Sequence, residues 1–139
     1  MVTIVFSSSF AFANSLKLTE REAKIESELK LCLQNAQGRD PDVELCLANR
    51  GDVAEKLLAD VIESATQTYA TQDATYSAQF TKRLKATAET WKNFVNTECD
   101  LLAVDGYGGT GEEQDRYRCL GDLSLQRANN LAHYFRVSQ

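Results

Sequence analysis

The residues best suited to chemistry in this 139-residue chain are its four cysteines, Cys32, Cys46, Cys99 and Cys119. None of them forms the C-x-x-C spacing of a redox motif or a zinc ribbon. The single histidine, His133, is remote in sequence from both cysteine pairs, so no metal site and no cofactor are expected. Oxidation to disulfides is the chemistry that remains. Cys32 and Cys46 bracket one predicted turn between helices, and Cys99 and Cys119 bracket another. Four cysteines allow three connectivities; the spacing favours 32–46 with 99–119, and the long-range pairings stay open. Such bridges belong to oxidising compartments outside the cytosol.

Catalysis finds little support. A Ser–His–Asp arrangement needs a strained nucleophile turn, and none is visible. Cysteines held in disulfides cannot act as nucleophiles. Asp and Glu number 20 against 15 Lys and Arg, so carboxylate pairs arise by chance and no glycosidase pair stands out. His133 falls in the last turn of the final predicted helix, where the helix dipole favours a cation. The expectation is a protein that is not an enzyme.

Composition narrows the partners. The net charge is −5, with a pI near 4.9, which disfavours nucleic acid, because phosphate binding needs a basic face. An acidic surface suits a cationic protein partner, and ordinary solubility accounts for it equally well. The length suits one domain with a modest core. Proline occurs once, at Pro41, and Leu and Ala are abundant, which favours helix.

The first residues carry an independent sign of export. Val2 to Phe12 are apolar or small, and Ala11-Phe12-Ala13 forms an A-x-A site before Asn14. Residues 1–13 are therefore expected to be a signal peptide whose basic n-region is missing, with residues 14–139 as one helical domain. An apolar strand or helix in the mature core is the competing reading. The segment is shorter than the ~20 residues a membrane span needs, and no integral span is expected.

Helical periodicity organises the remainder. Thr19-x-x-Glu22 reads as a capping box that starts a first helix carrying Ile25, Leu29, Cys32 and Ala36 on one stripe. Gly38 closes it, and Asp40-Pro41 restarts the chain, with Asp as N-cap and Pro at the first helical position. Leu57, Val61, Ala65 and Tyr69 continue the second helix, in which Gly51 marks a kink or a fresh start. A turn is placed within 66–77, one long bent helix being the alternative. Phe80, Leu84, Ala88, Trp91, Val95, Cys99 and Leu102 form the third stripe, with Trp91 as a core anchor. The glycine-rich run Asp105 to Gly111 lacks the Gly-Lys-Ser/Thr of a phosphate loop. Thr110-x-x-Glu113 then reads as a second capping box for a last helix carrying Tyr117, Leu120, Ser124, Arg127 or Ala128, Leu131 and Phe135. The expected fold is all-α: a disulfide-stapled antiparallel bundle of about four helices in two hairpins.

These residues resemble the LprI-type lysozyme inhibitor N-terminal domain, a small secreted bacterial helical domain. The resemblance runs from about residue 31 to 131. It rests on Cys32, on Asp42-Val-Glu-Leu-Cys46, and on Trp91-x-x-Phe94-x-x-x-x-Cys99. Gly108-Gly109, Cys119, Arg127 and Leu131 complete the pattern. The chain departs from it at Val95, where the family usually has Arg, and at Ala88, where it tends to carry Gln. The resemblance implies a helical fold and a periplasmic, secreted or lipid-anchored location. No cysteine occupies a lipobox-like position after the leader, so a lipid anchor is not expected.

Binding is therefore the expected class of function. One hypothesis is inhibition of a lysozyme-type muramidase, a cationic partner steered by the acidic surface. Its proposed contacts are Asp105, Tyr107, Gly108, Gly109, Glu112 and Glu113, with Tyr107 as the probing aromatic. The bland alternative is a run of glycines that only permits a chain reversal. Another hypothesis is an envelope interaction or immunity-type module that binds a different protein without inhibiting lysozyme. A stress-related structural domain is a third. Arg127 is expected to hold the bundle through a buried ion pair rather than to serve a site.

Overall fold

The computed structural model describes residues 18–104 and 109–137. Four helices and no strand occur among them: α1 (Leu18–Ala36), α2 (Asp40–Ala70), α3 (Ala74–Ala103) and α4 (Thr110–Phe135). The all-α expectation holds. The expected leader, residues 1–13, and Asn14 lie outside the described residues.

The turns show where local chemistry decides the chain's path. Gln37 and Gly38 both adopt positive φ, 51° and 75°, and close α1. Glycine reaches this left-handed region at no steric cost, which explains its place there. The next helix begins one residue earlier than expected. Arg39 is the N-cap of α2 in extended conformation, so Asp40 and Pro41 are already helical. The expected cap residue is displaced at both helix starts. α1 contains Thr19 inside its first turn, and Glu22 accepts a hydrogen bond from Asn129 of α4 instead of returning to the backbone. Gly109 is the N-cap of α4, without a side-chain cap bond, so Thr110 is the first helical residue.

Between α2 and α3 the chain does turn, within the expected span, and the single bent helix is excluded. The turn is short. Asp73 caps α3, its carboxylate accepting from the backbone N–H groups of Thr75 and Tyr76 at 2.9 and 3.2 Å. α2 itself runs unbroken through Gly51, so the expected fresh start at Asp52 is absent.

Helices α1 and α2 are antiparallel, as are α3 and α4, which gives the two hairpins foreseen. The hairpins meet through α2 and α4, which start at the same end and run in the same direction. Gln114 near the start of α4 reaches Asp40 at the start of α2. Further along, the position a Cβ on Gly121 would take lies 3.7 Å from the Cα of Gly51. Lacking side chains at both sites, the two helices come close enough to bury small residues between them. Ala54 and Ala128 are fully buried, and Ser124 nearly so. Leu57, Leu58, Val61 and Leu125 fill the main core around that seam, and Ile25 joins it from α1. Each fully buried Leu or Val contributes roughly 1.5–3 kcal/mol relative to exposure. A second cluster surrounds Val95, Cys99 and Cys119, and Trp91 packs against both clusters. Trp91, expected as a core anchor, thus bridges the two clusters while its side chain stays half-exposed.

The two ends of the bundle are closed by different means. Both disulfides lie at the end where α1 passes to α2 and α3 to α4. At the opposite end, Tyr69 stacks on Phe80 at 4.4 Å between ring centroids. Phe135 meets both rings edge-on at 5.7 and 5.1 Å.

Candidate functional site at the stapled end and along helix α3

Cys32 pairs with Cys46, and Cys99 with Cys119, with Cα atoms 5.7 and 5.5 Å apart. The long-range connectivities are excluded. Helical rise accounts well for the first bridge, whose cysteines sit at similar heights from the turn; the second is a poorer match, since Cys119 lies further into α4 than Cys99 lies from the end of α3. The second bridge fixes the stems of the α3–α4 connection, and Arg116 of α4 reinforces it through an ion pair with Asp100 of α3 at 3.0 Å.

Asp105, Tyr107 and Gly108, expected to meet a partner, lie outside the described residues. Gly109 is exposed, and Glu112 and Glu113 are half-buried in the first turn of α4. Glu113 lies 3.9 Å from Arg116. These three therefore stand at the stapled end. Beside them, the end of α3 exposes three large aliphatic residues. Leu101, Leu102 and Val104 keep 65%, 53% and 59% of their surface open. Sequence reading missed this group, because it counted Leu102 toward the buried stripe; the inward positions there belong to Cys99 and Ala103.

A second feature lies further along α3. Phe94 is 47% exposed, and its ring centroid lies 5.6 Å from that of Trp91. The guanidinium carbon of Arg127 rests over the Trp91 ring, 4.5 Å from its centroid, within reach of a cation–π attraction. Leu131, one turn on, packs against the main core. Arg127 corrects an expectation: among the described residues it forms no ion pair. Its one hydrogen bond, from Nη2 to the backbone oxygen of Thr87, is long at 3.4 Å. Its Nε–H is buried without a partner. Burial pulls this guanidinium below the ordinary arginine range, with no carboxylate nearby to reverse the effect.

The buried ion-pair role falls instead to Arg50, which sequence reading passed over. Its side chain is 8% exposed, and it contacts Glu26 of α1 at 2.6 Å and Asp122 of α4 at 2.7 Å. Burial alone depresses its guanidinium, but hydrogen bonds and charge from Glu26 and Asp122 outweigh this and raise it. No local signal marks Arg50, since its partners come from other helices. The one clue is the neighbouring Gly51, which lets α4 approach.

Among the described residues, no group of three or more His, Cys, Asp or Glu side chains could hold a metal ion. No helix among them is long and apolar enough to cross a membrane. His133 is exposed in the last turn of α4.

Comparison with known proteins returns one family, described as Lysozyme inhibitor LprI, whose profile matches residues 32–131. That span contains all four cysteines, Trp91, Phe94, Arg127 and Leu131. No curated relative and no solved structure matches the chain.

Proposed function

The chain belongs to the LprI lysozyme-inhibitor family, and from that premise we propose that it binds a lysozyme-type muramidase outside the cytosol and blocks its cleft. The observation that carries this is the exposed group Leu101, Leu102 and Val104 beside the Cys99–Cys119 staple. Exposed aliphatic residues in such proximity favour a partner that covers them. Stems held by a disulfide limit the ordering cost of binding, so more of the contact energy appears as affinity.

In this proposal the stapled end faces the enzyme. Asp105, Tyr107, Gly108 and Gly109 contact the cleft, and Glu112 and Glu113 face basic residues along its rim. A net charge of −5 attracts a cationic muramidase over a distance set by salt screening. The protein acts in the periplasm or after secretion, where disulfides persist, and it performs no chemistry of its own.

Lysis of a peptidoglycan suspension tests the proposal. Oxidised protein in micromolar excess should slow turbidity loss caused by a basic muramidase. Unslowed lysis at that excess contradicts it.

A further inference from the structure

Four arginines are at least partly buried among the described residues: Arg21, Arg50, Arg116 and Arg127. The first three each contact a carboxylate, at 2.5, 2.6 and 3.0 Å. Arg127 alone has none, in a chain whose acids outnumber its bases. Arg127 is partly buried, and no carboxylate among the described residues pairs with its guanidinium. Its surroundings form an open groove of about 440 Å³, lined by Ala86, Thr87, Thr90, Trp91, Phe94 and Arg127. Thr87 and Thr90 donate their hydroxyl protons to Leu84 and Ala86 carbonyls of their own helix, which leaves their oxygens as acceptors. The groove thus combines an aromatic floor, one unpaired guanidinium and no acid.

We propose that this groove is a carboxylate subsite for the partner protein: Arg127 pairs with an Asp or Glu side chain of the partner, and Phe94 receives an apolar neighbour of that acid. The inference deepens the inhibitor proposal and rests on it. Guanidinium and carboxylate form the stronger, charge-assisted kind of hydrogen bond. A protein fits better than a free acidic sugar. The net charge of −5 repels a small anion, whereas a cationic protein is attracted as a whole and still carries local carboxylates. The groove is also continuous with the stapled end. Phe94, Thr97, Leu101 and Val104 follow at helical spacing, all exposed and none charged. This line covers about 15 Å along the helix, so one partner of standard footprint can reach both ends.

The test uses the full oxidised chain, in which Trp91 is the only tryptophan, so its fluorescence reports on the groove directly. Titration with the peptide acetyl-Leu-Glu-Leu-amide should give a saturable change in emission. The isosteric acetyl-Leu-Gln-Leu-amide should bind at least about tenfold more weakly, as loss of a charge-assisted bond implies. Arg127→Met should abolish the preference for Glu while leaving the circular dichroism and thermal midpoint close to wild type. Phe94→Ala, at an exposed position, provides a second variant that should weaken both peptides. No saturable change with the Glu peptide, an equal response to the Gln peptide, or a response to N-acetylmuramic acid alone overturns the proposal. Lysis assays separate it from the reading beneath it. Inhibition by wild type that Arg127→Met fully retains overturns the subsite and leaves the inhibitor proposal standing. Absence of inhibition by wild type overturns the inhibitor proposal and the muramidase as occupant with it, whatever the peptides show.

Discussion

Arg50 reaches from α2 to Glu26 on α1 and to Asp122 on α4, tying three helices at one nearly buried guanidinium. Both acids are about half-exposed, so water screens each pair, yet the arginine itself has little access to solvent. Arg50→Met should cost roughly 1–3 kcal/mol in urea unfolding, and the loss should shrink at high salt. Because folding raises this guanidinium's proton affinity, its contribution is full at all ordinary pH and is lost only in strong alkali. Two glycines beside it should respond in opposite directions. A Cβ on Gly51 meets only the Tyr117 carbonyl oxygen at 3.8 Å, an ordinary contact. Gly51→Ala should therefore stabilise by about 0.5–1 kcal/mol through helix propensity. A Cβ on Gly121 falls 2.6 Å from Arg50 Nη1. Gly121→Ala must displace that guanidinium from its two acids, so it should destabilise by about 1 kcal/mol despite the same propensity gain. Thermal melts of the two variants side by side check the sign of each change.

Among the helices, the disulfides set how firmly each hairpin is held. Bridges spanning 14 and 20 residues restrict the unfolded chain by about 3 kcal/mol each, the longer slightly more. Paired Cys→Ala replacement of 32 with 46, or of 99 with 119, should lower unfolding free energy by about that amount. A loss below ~1 kcal/mol in either pair would mean that packing alone holds that hairpin. The existence and order of the helices were legible because the stripes through Ile25, Leu57, Leu84 and Leu131 repeat at helical spacing. Gly38 was legible for a different reason, since few residues accept its positive φ. Helix starts were less so. A cap depends on one residue's conformation, and Arg39 and Gly109 take that conformation in place of Asp40 and Thr110. Asp73, the one side-chain cap observed on α3, was hidden in a Thr- and Gln-rich stretch without Gly or Pro.

At the scale of the molecule, the parallel contact of α2 with α4 was not legible at all. It arises from Gly51, Ala54, Gly121 and Ala128 on helices far apart in sequence, and no local pattern announces such a meeting. The same distance hid the contrast between Arg50 and Arg127, since an arginine's role depends on which helix delivers an acid to it. What emerges is a bundle closed by aromatic rings at one end and stapled at the other. The stapled end carries exposed Leu101, Leu102 and Val104, and the uncharged line along α3 leads from there to Arg127. An acidic molecule of this form should bind a basic muramidase as a one-to-one complex. Calorimetric titration of the oxidised protein against such an enzyme, at low and at high salt, tests this most directly. The expected result is stoichiometric binding that weakens as salt rises; no complex even at low salt contradicts the account.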